Sequence, residues 1–169
     1  ALKERSPDTL RLSIVQLPFK FEGVARMENA RYGLRRVIEQ SDLCVVNMND
    51  LLYKRVGMLR AKYAFKYADC QLVNSVKSLV KMISYPGAVL NLTFADFKAV
   101  CKEAGLGCIG HGLGKKVGQA LLQAVKNRLL DADIKNAAGG ALVYIEAPPT
   151  VSLEDAGTAP SLLTEQYGI

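Results

Sequence analysis

The sequence predicts an α/β (α+β) chain: the end of a parallel sheet, a long central helix, then a small sheet covered by helices. Three observations predict it. Between Leu10 and Met48 a strand-like run, an amphipathic helical stretch and a second short apolar run follow one another, the order of a parallel βαβ unit. From about Met58 to Tyr85 apolar residues recur at alternating steps of three and four, the period of a helix. Beyond Pro86-Gly87 short apolar runs alternate with helical ones.

Taken in order, residues 1–9 are polar, and Ser6-Pro7-Asp8 marks a turn. Leu10 to Leu17 alternates and then becomes continuously apolar, which predicts a strand. Pro18 to Gly23 is a turn. Met27, Ala30, Leu34, Val37 and Ile38 share one helical face. Leu43 to Val46 form a short buried strand within Ser41 to Met48. Asn49-Asp50 ends it and caps a short helix. In the long helix Phe65, Leu72, Val76, Leu79 and Ile83 lie on one stripe, widened by Val73 and Val80, so the helix is expected to be packed on two sides. Pro86 stops it, because proline cannot continue the ladder and displaces the residue before it. The result is a rod of roughly 40 Å.

A helix from Phe94 to Ala104, a Gly-rich strand from Leu106 to Gly112 and an amphipathic helix from Lys116 to Leu130 follow. Gly139-Gly140 opens a strand from Ala141 to Ala147, which Pro148-Pro149 breaks. Ser152 starts a last short helix that Pro160 is expected to interrupt.

The totals exclude several classes. At 169 residues, half of them hydrophobic, the chain is globular and long enough for a real core. No apolar run is long enough to cross a bilayer and no leader opens the chain, so a soluble cytoplasmic protein is expected. The four cysteines make no C-x-x-C pair and the single His111 gives them no local partner, which argues against a metal site. A net charge of +6 invites nucleic acid, but the lysines and arginines are spread along helices, as on an ordinary solvated surface. Gly105-x-Gly107-x-x-Gly110 follows a helix instead of a strand, so tight strand packing explains it better than a dinucleotide fingerprint.

Two stretches carry chemistry. Asn91-Leu92-Thr93-Phe94-Ala95-Asp96 reads as a helix start, with Thr93 and Asp96 spaced as a capping box. Asp69 sits one turn beyond Phe65 on an apolar stripe, where a carboxylate is costly unless paired. It is either a wet helix edge or a base-recognition group. In the second case Phe65 stacks on a purine, and Asp69 accepts from the N1–H and the amino group of guanine.

These stretches resemble a known family. Asn91 to Val100 is similar to the FtsZ loop N-x-D-F-A-D-x-x-x-V, and Ala64-Phe65-Lys66-Tyr67-Ala68-Asp69 to its A-F-x-x-A-[ND]. Pro18 to Arg26 resembles P-F-x-F-E-G-x-x-R, and Asn49-Asp50-Leu51-Leu52 resembles P-N-D-x-L-L with Met48 in place of the proline. Leu129 to Val143 resembles the family's late helix-to-strand passage. The motifs occur in order, with one extra residue between Pro86 and Asn91.

The resemblance is to the FtsZ/tubulin superfamily of GTPases, an archaeal-type member included, and to a later portion of it. It implies that residues 1–56 are the distal part of the nucleotide-binding domain, 57–85 the spine helix, and 86–169 the activating domain, incomplete at its end. It implies GTP and magnesium as ligands of the intact protein, with Glu22 and Arg26 near ribose and phosphates, and Asn49, Phe65 and Asp69 on the base. It further implies that Asn91 and Asp96 complete the hydrolysis site of the next subunit in a head-to-tail filament, with other division proteins as further partners. Thr93 stands where the family usually has an acid, so slower hydrolysis is expected. The family's G-G-G-T-G-T-G phosphate loop is absent, so the chain is expected to be an internal piece of a longer protein or a reduced relative, inactive alone. The alternative is a non-hydrolysing scaffold or filament-capping module.

Overall fold

The computed structural model describes residues 8–56, 60–84, 92–132 and 139–169. The chain divides into two compact units: the residues up to Cys108 together with Leu129–Asp131, and Ile109–Arg128 together with 132–169.

The first unit is built on a three-stranded parallel sheet in the order β1 (Leu12–Leu17), β2 (Leu43–Met48), β3 (Gly105–Gly107). β1 runs in register with β2 from Leu12↔Leu43 to Leu17↔Met48. Leu43 of β2 is also opposite Gly105. Helix α1 (Val24–Gln40) covers one face. Its Ala30, Leu34, Val37 and Ile38 recur at helical spacing and pack on Leu17, Cys44 and Val46. Ser41 ends it in extended geometry, its hydroxyl donating to the Val37 carbonyl at 2.7 Å. The short α2 (Asn49–Val56) leaves β2 directly.

The long helix α3 (Ala61–Ser84) takes a different face to the unit than the apolar stripe predicts. Its buried residues are Ala64, Ala68 and Ser75. Ala64 and Ala68 join Phe19, Leu52 and Leu129 in one cluster. Gln16 donates to the Ala68 carbonyl at 2.5 Å. Small side chains let the helix backbone come within reach of a strand side chain, and that closeness selects the alanine face. Phe65, Val73, Val76, Val80 and Ile83 stay 41–52% exposed, so the expected packing on two sides is absent among the described residues. Met58, Tyr85 and Pro86, the expected limits of the helix, lie outside them.

Helix α4 (Phe94–Cys101) then leads into β3. The strand expected from Leu106 to Gly112 is shorter, and it adds to the first sheet. A Cβ at Gly107 would run into the Leu43 side chain, so glycine allows the close pairing.

In the second unit α5 (Val117–Lys126) packs on α6 (Leu153–Tyr167) through Val117, Leu121, Ala159 and Leu163. Ser152 caps α6, accepting from the Asp155 N–H at 3.0 Å. The helix runs on through Pro160 to Gly168 in left-handed geometry, longer than the short piece expected. Added Cβ atoms at Gly110 and Gly112 would collide with the Ala124 and Ala120 carbonyls, so this segment lies flush on α5. Ala141 to Ala147 is not a strand. Val143, Tyr144 and Ile145 are exposed, and no ladder partner for them exists among the described residues.

Candidate functional site

The described candidate residues Glu22, Arg26, Asn49, Phe65, Asp69 and Asp96 lie in the first unit, toward the two ends of its sheet. At the carboxyl ends of the strands, the segment after β1 and the segment after β2 meet the start of α3. Phe19 is fully buried and stacks on Phe21, ring centroids 4.9 Å apart. Phe65 meets Phe19 edge-on at 5.4 Å and Phe21 at 6.2 Å. Tyr53 of α2 closes on Phe21 at 6.1 Å. One sealed ring thus supports two that face solvent, and the exposed Tyr53 closes on one of those.

Glu22 shapes the loop that carries two of these rings. Its carboxylate accepts from the Phe19 N–H at 2.8 Å and pairs with Arg26 at 3.1 Å. The short 3-10 turn Lys20–Glu22 ends at Gly23, whose φ of 105° only glycine adopts freely. The Lys20 N–H donates to Asp50 at 2.8 Å, tying this loop to the start of α2. Asn49 is 7% exposed, and its Oδ1 is buried with no hydrogen-bond partner. The Nδ2 of Asn47, two residues earlier, is in the same condition. A buried acceptor without a donor costs about 1–3 kcal/mol, which a ligand N–H would recover. Asp69 is exposed, one turn along α3 from Phe65. The structure thus links Glu22, Arg26 and Phe65 through the aromatic loop, with Asn49 starting the helix tied to that loop and Asp69 one turn along α3 from Phe65. That set can stack on a planar base, accept hydrogen bonds from its edge and offer one guanidinium.

Asp96 lies elsewhere. It is exposed, in the first turn of α4, and completes the capping box with Thr93. Its Oδ2 accepts from the Thr93 hydroxyl at 2.6 Å and the Thr93 N–H at 3.0 Å. Those two bonds, the hydroxyl first, hold its carboxyl below the ordinary value against slight desolvation. The other end of α4 shows where the helix sits. Lys98 donates to the Asp8 carbonyl at 3.2 Å, and Lys102 pairs with Asp42 at 3.0 Å. Asp8 and Asp42 precede β1 and β2, so α4 is anchored at the amino end of the sheet. The strands are six residues long, which separates the two ends by roughly 20 Å. Asn91 lies outside the described residues.

Sequence reading missed three residues here. Phe21 and Tyr53 complete the aromatic wall, and the P-F-x-F spacing carried a signal for the first. Asp42 is fully buried, accepts from the Arg11 N–H at 2.8 Å and faces the Arg11 guanidinium at 3.7 Å. Burial pushes its carboxyl up, but the Arg11 N–H and the two cations outweigh that and hold it below the ordinary value. Nothing local marks it, because Lys102 is distant in sequence. His111 is exposed, and its carbonyl accepts from Asn127 at 3.1 Å. Among the described residues no three His, Cys, Asp or Glu gather as a metal site, and no helix is long and apolar enough to cross a membrane.

Fold and cluster together define an α/β protein whose candidate binding residues sit at the carboxyl ends of parallel strands, the usual ligand position in such sheets. The comparisons narrow the class. A model described as Tubulin/FtsZ family, GTPase domain, matches residues 1–57. The chain is 41% identical over 150 residues to cell division protein FtsZ 1 of Methanocaldococcus jannaschii, covering 87% of this chain and 41% of that protein. It is 42% identical over 155 residues to cell division protein FtsZ 1 of Pyrococcus furiosus, covering 90% and 41%. The solved empty FtsZ dimer of M. jannaschii superposes with a TM-score of 0.85 at 38% identity, over 95% of this chain and 47% of that one. The chain belongs to the tubulin/FtsZ family, and it spans about two-fifths of the length of these curated relatives.

Proposed function

We propose that this chain is part of an FtsZ-like, GTP-binding, filament-forming protein of cell division. In it, Phe65, Asp69 and Asn49 hold guanine, while Glu22 and Arg26 serve the ribose and phosphates. Asp96 positions the water that attacks the γ-phosphate held by the next subunit, and Asn91 fixes that loop. Positioning and electrostatics carry most of such catalysis. The observation that supports this reading most is the separation of the two groups. One copy cannot bring Asp96 to its own aromatic wall, whereas a second copy stacked head to tail could. Such a contact is heterologous and open, and so builds filaments. The superposed M. jannaschii FtsZ is itself a dimer, which agrees with self-association.

The orphaned Asn49 Oδ1 fits a base N–H. Magnesium has no cage among the described residues and would arrive with the phosphates. The domain division at about 56 and 86 is part of the same reading, as are a cytoplasmic location and further division proteins as partners. One observation favours the second reading, a non-hydrolysing scaffold or filament cap: Oδ2 of Asp96 is already engaged twice by Thr93.

A trans assay separates the two. The M. jannaschii relative is given alanine at the residue aligned with Asp96, and this chain is added with GTP. Restored phosphate release that Asp96→Ala removes, with binding to the relative retained, supports the GTPase reading. Binding without any restored release supports the scaffold.

A further inference from the structure

We infer that the buried Asp42–Lys102 pair is the device that positions Asp96, which makes Asp42 and Lys102 positioning residues of the proposed hydrolysis site. The inference rests on the reading of Asp96 given above. It starts from Asp42, whose side chain is 0% exposed. A carboxylate so placed is tolerated only when cations and donors satisfy it. Arg11 supplies a backbone N–H at 2.8 Å and a guanidinium at 3.7 Å, both from the segment leading into β1. Lys102 supplies the closer cation, at 3.0 Å, and it is the C-cap residue of α4. The Asp42 carbonyl also accepts from the Gly105 N–H at 2.9 Å, where β3 begins. The aspartate thus joins the starts of two strands to the end of the helix that carries Asp96.

Burial of Phe97 and Cys101 presses α4 onto the unit, but apolar contact is non-directional. It leaves the helix free to roll and slide by small amounts. The ion pair removes that freedom at one end, and the Lys98 bond to the Asp8 carbonyl adds a second tether. Asp96 lies six positions before Lys102, about 9 Å along a stiff axis, so motion at the anchored end reaches it undiminished. Asp96 itself is held to the helix by the capping box and cannot readjust alone.

Lys102→Met tests this in the full chain. The lysine side chain is 32% exposed, so the variant should fold, and Lys102→Arg is the conservative rescue. Hydrogen exchange at the Asp96 and Phe97 amides is read first. It should quicken about threefold or more in Lys102→Met, revert in Lys102→Arg, and stay unchanged in α5. In the trans assay, phosphate release at saturating chain should fall about three- to tenfold with the half-saturating concentration unchanged. Exchange that does not move overturns the inference, whatever the assay gives. So does full phosphate release from a variant that has only lost thermal stability. If Asp96→Ala retains full release as well, the proposed function itself fails, and exchange alone then decides whether Lys102 holds the helix.

Discussion

The two ends of the sheet solve opposite problems. At the amino end the charged groups named here are paired within the chain, Asp42 Oδ1 through its ion pair with Lys102 and not through a hydrogen bond. Asp42 has two cations and a backbone donor, Lys98 has a carbonyl, and Asp96 has its cap. At the carboxyl end the groups are left open. Phe21, Tyr53 and Phe65 show their faces to solvent, and Asn49 and Asn47 each bury a polar atom without a partner. The proposed function takes the open end as the one completed from outside. On the proposed reading the amino end supplies a group and the carboxyl end receives one.

Variants can break that contrast in a graded way. Phe19→Ala should act most, because the sealed ring supports both the wall and the core: a loss of about 3–5 kcal/mol in urea unfolding, with the wall disordered. Asp42→Ala should cost about 2–4 kcal/mol, somewhat below a fully buried pair because Lys102 is partly wet. Acid sharpens the same point. The carboxyls of Asp42 and Asp96 are both held below the ordinary 3.8, so the unfolded chain binds protons first as pH falls. Their contribution should be complete above 3.8 and vanish as pH drops through the lower folded-state values, and an acid unfolding midpoint that shifts upward in Asp42→Asn would register it.

Smaller effects follow at the exposed helix start and at the open end. Thr93→Ala removes the cap and should cost about 1 kcal/mol, read as the unfolding midpoint and as lost order in α4. Asn49→Leu should change stability by less than about 1 kcal/mol, because it deletes an acceptor that has no partner in the chain, whereas the same change at the aligned residue of the M. jannaschii relative, which holds the nucleotide in the trans assay, should weaken guanine nucleotide binding. A stability loss at Asn49 as large as at Asp42 would erase the contrast between the ends.

Much of this was legible in the residues. The βαβ order, the face of α1 and the Thr93–Asp96 box follow from spacing, because each depends only on neighbours in sequence. The face of α3 does not. Its apolar stripe was plain, but the sheet took the alanines, and only the approach of Gln16 to the Ala68 carbonyl reveals why. Ala141 to Ala147 has a strand's composition but meets no partner strand among the described residues, and no local pattern can supply one. Asp42 looked like any polar residue before a strand until Lys102 closed on it. The aromatic wall was half visible: Phe65 stood out on its helix, but its meeting with Phe21 and Tyr53 needed the turn at Gly23.

The most direct measurement is a distance within one molecule. Spin labels at Tyr53→Cys and Leu92→Cys, both exposed positions, would be read in a Cys70→Ser, Cys108→Ser background diluted with unlabelled chain. The account predicts a single separation beyond roughly 20 Å, the length of the strands between the two ends. A separation of roughly 10 Å or less would put Asp96 beside its own aromatic wall and remove the need for a neighbour.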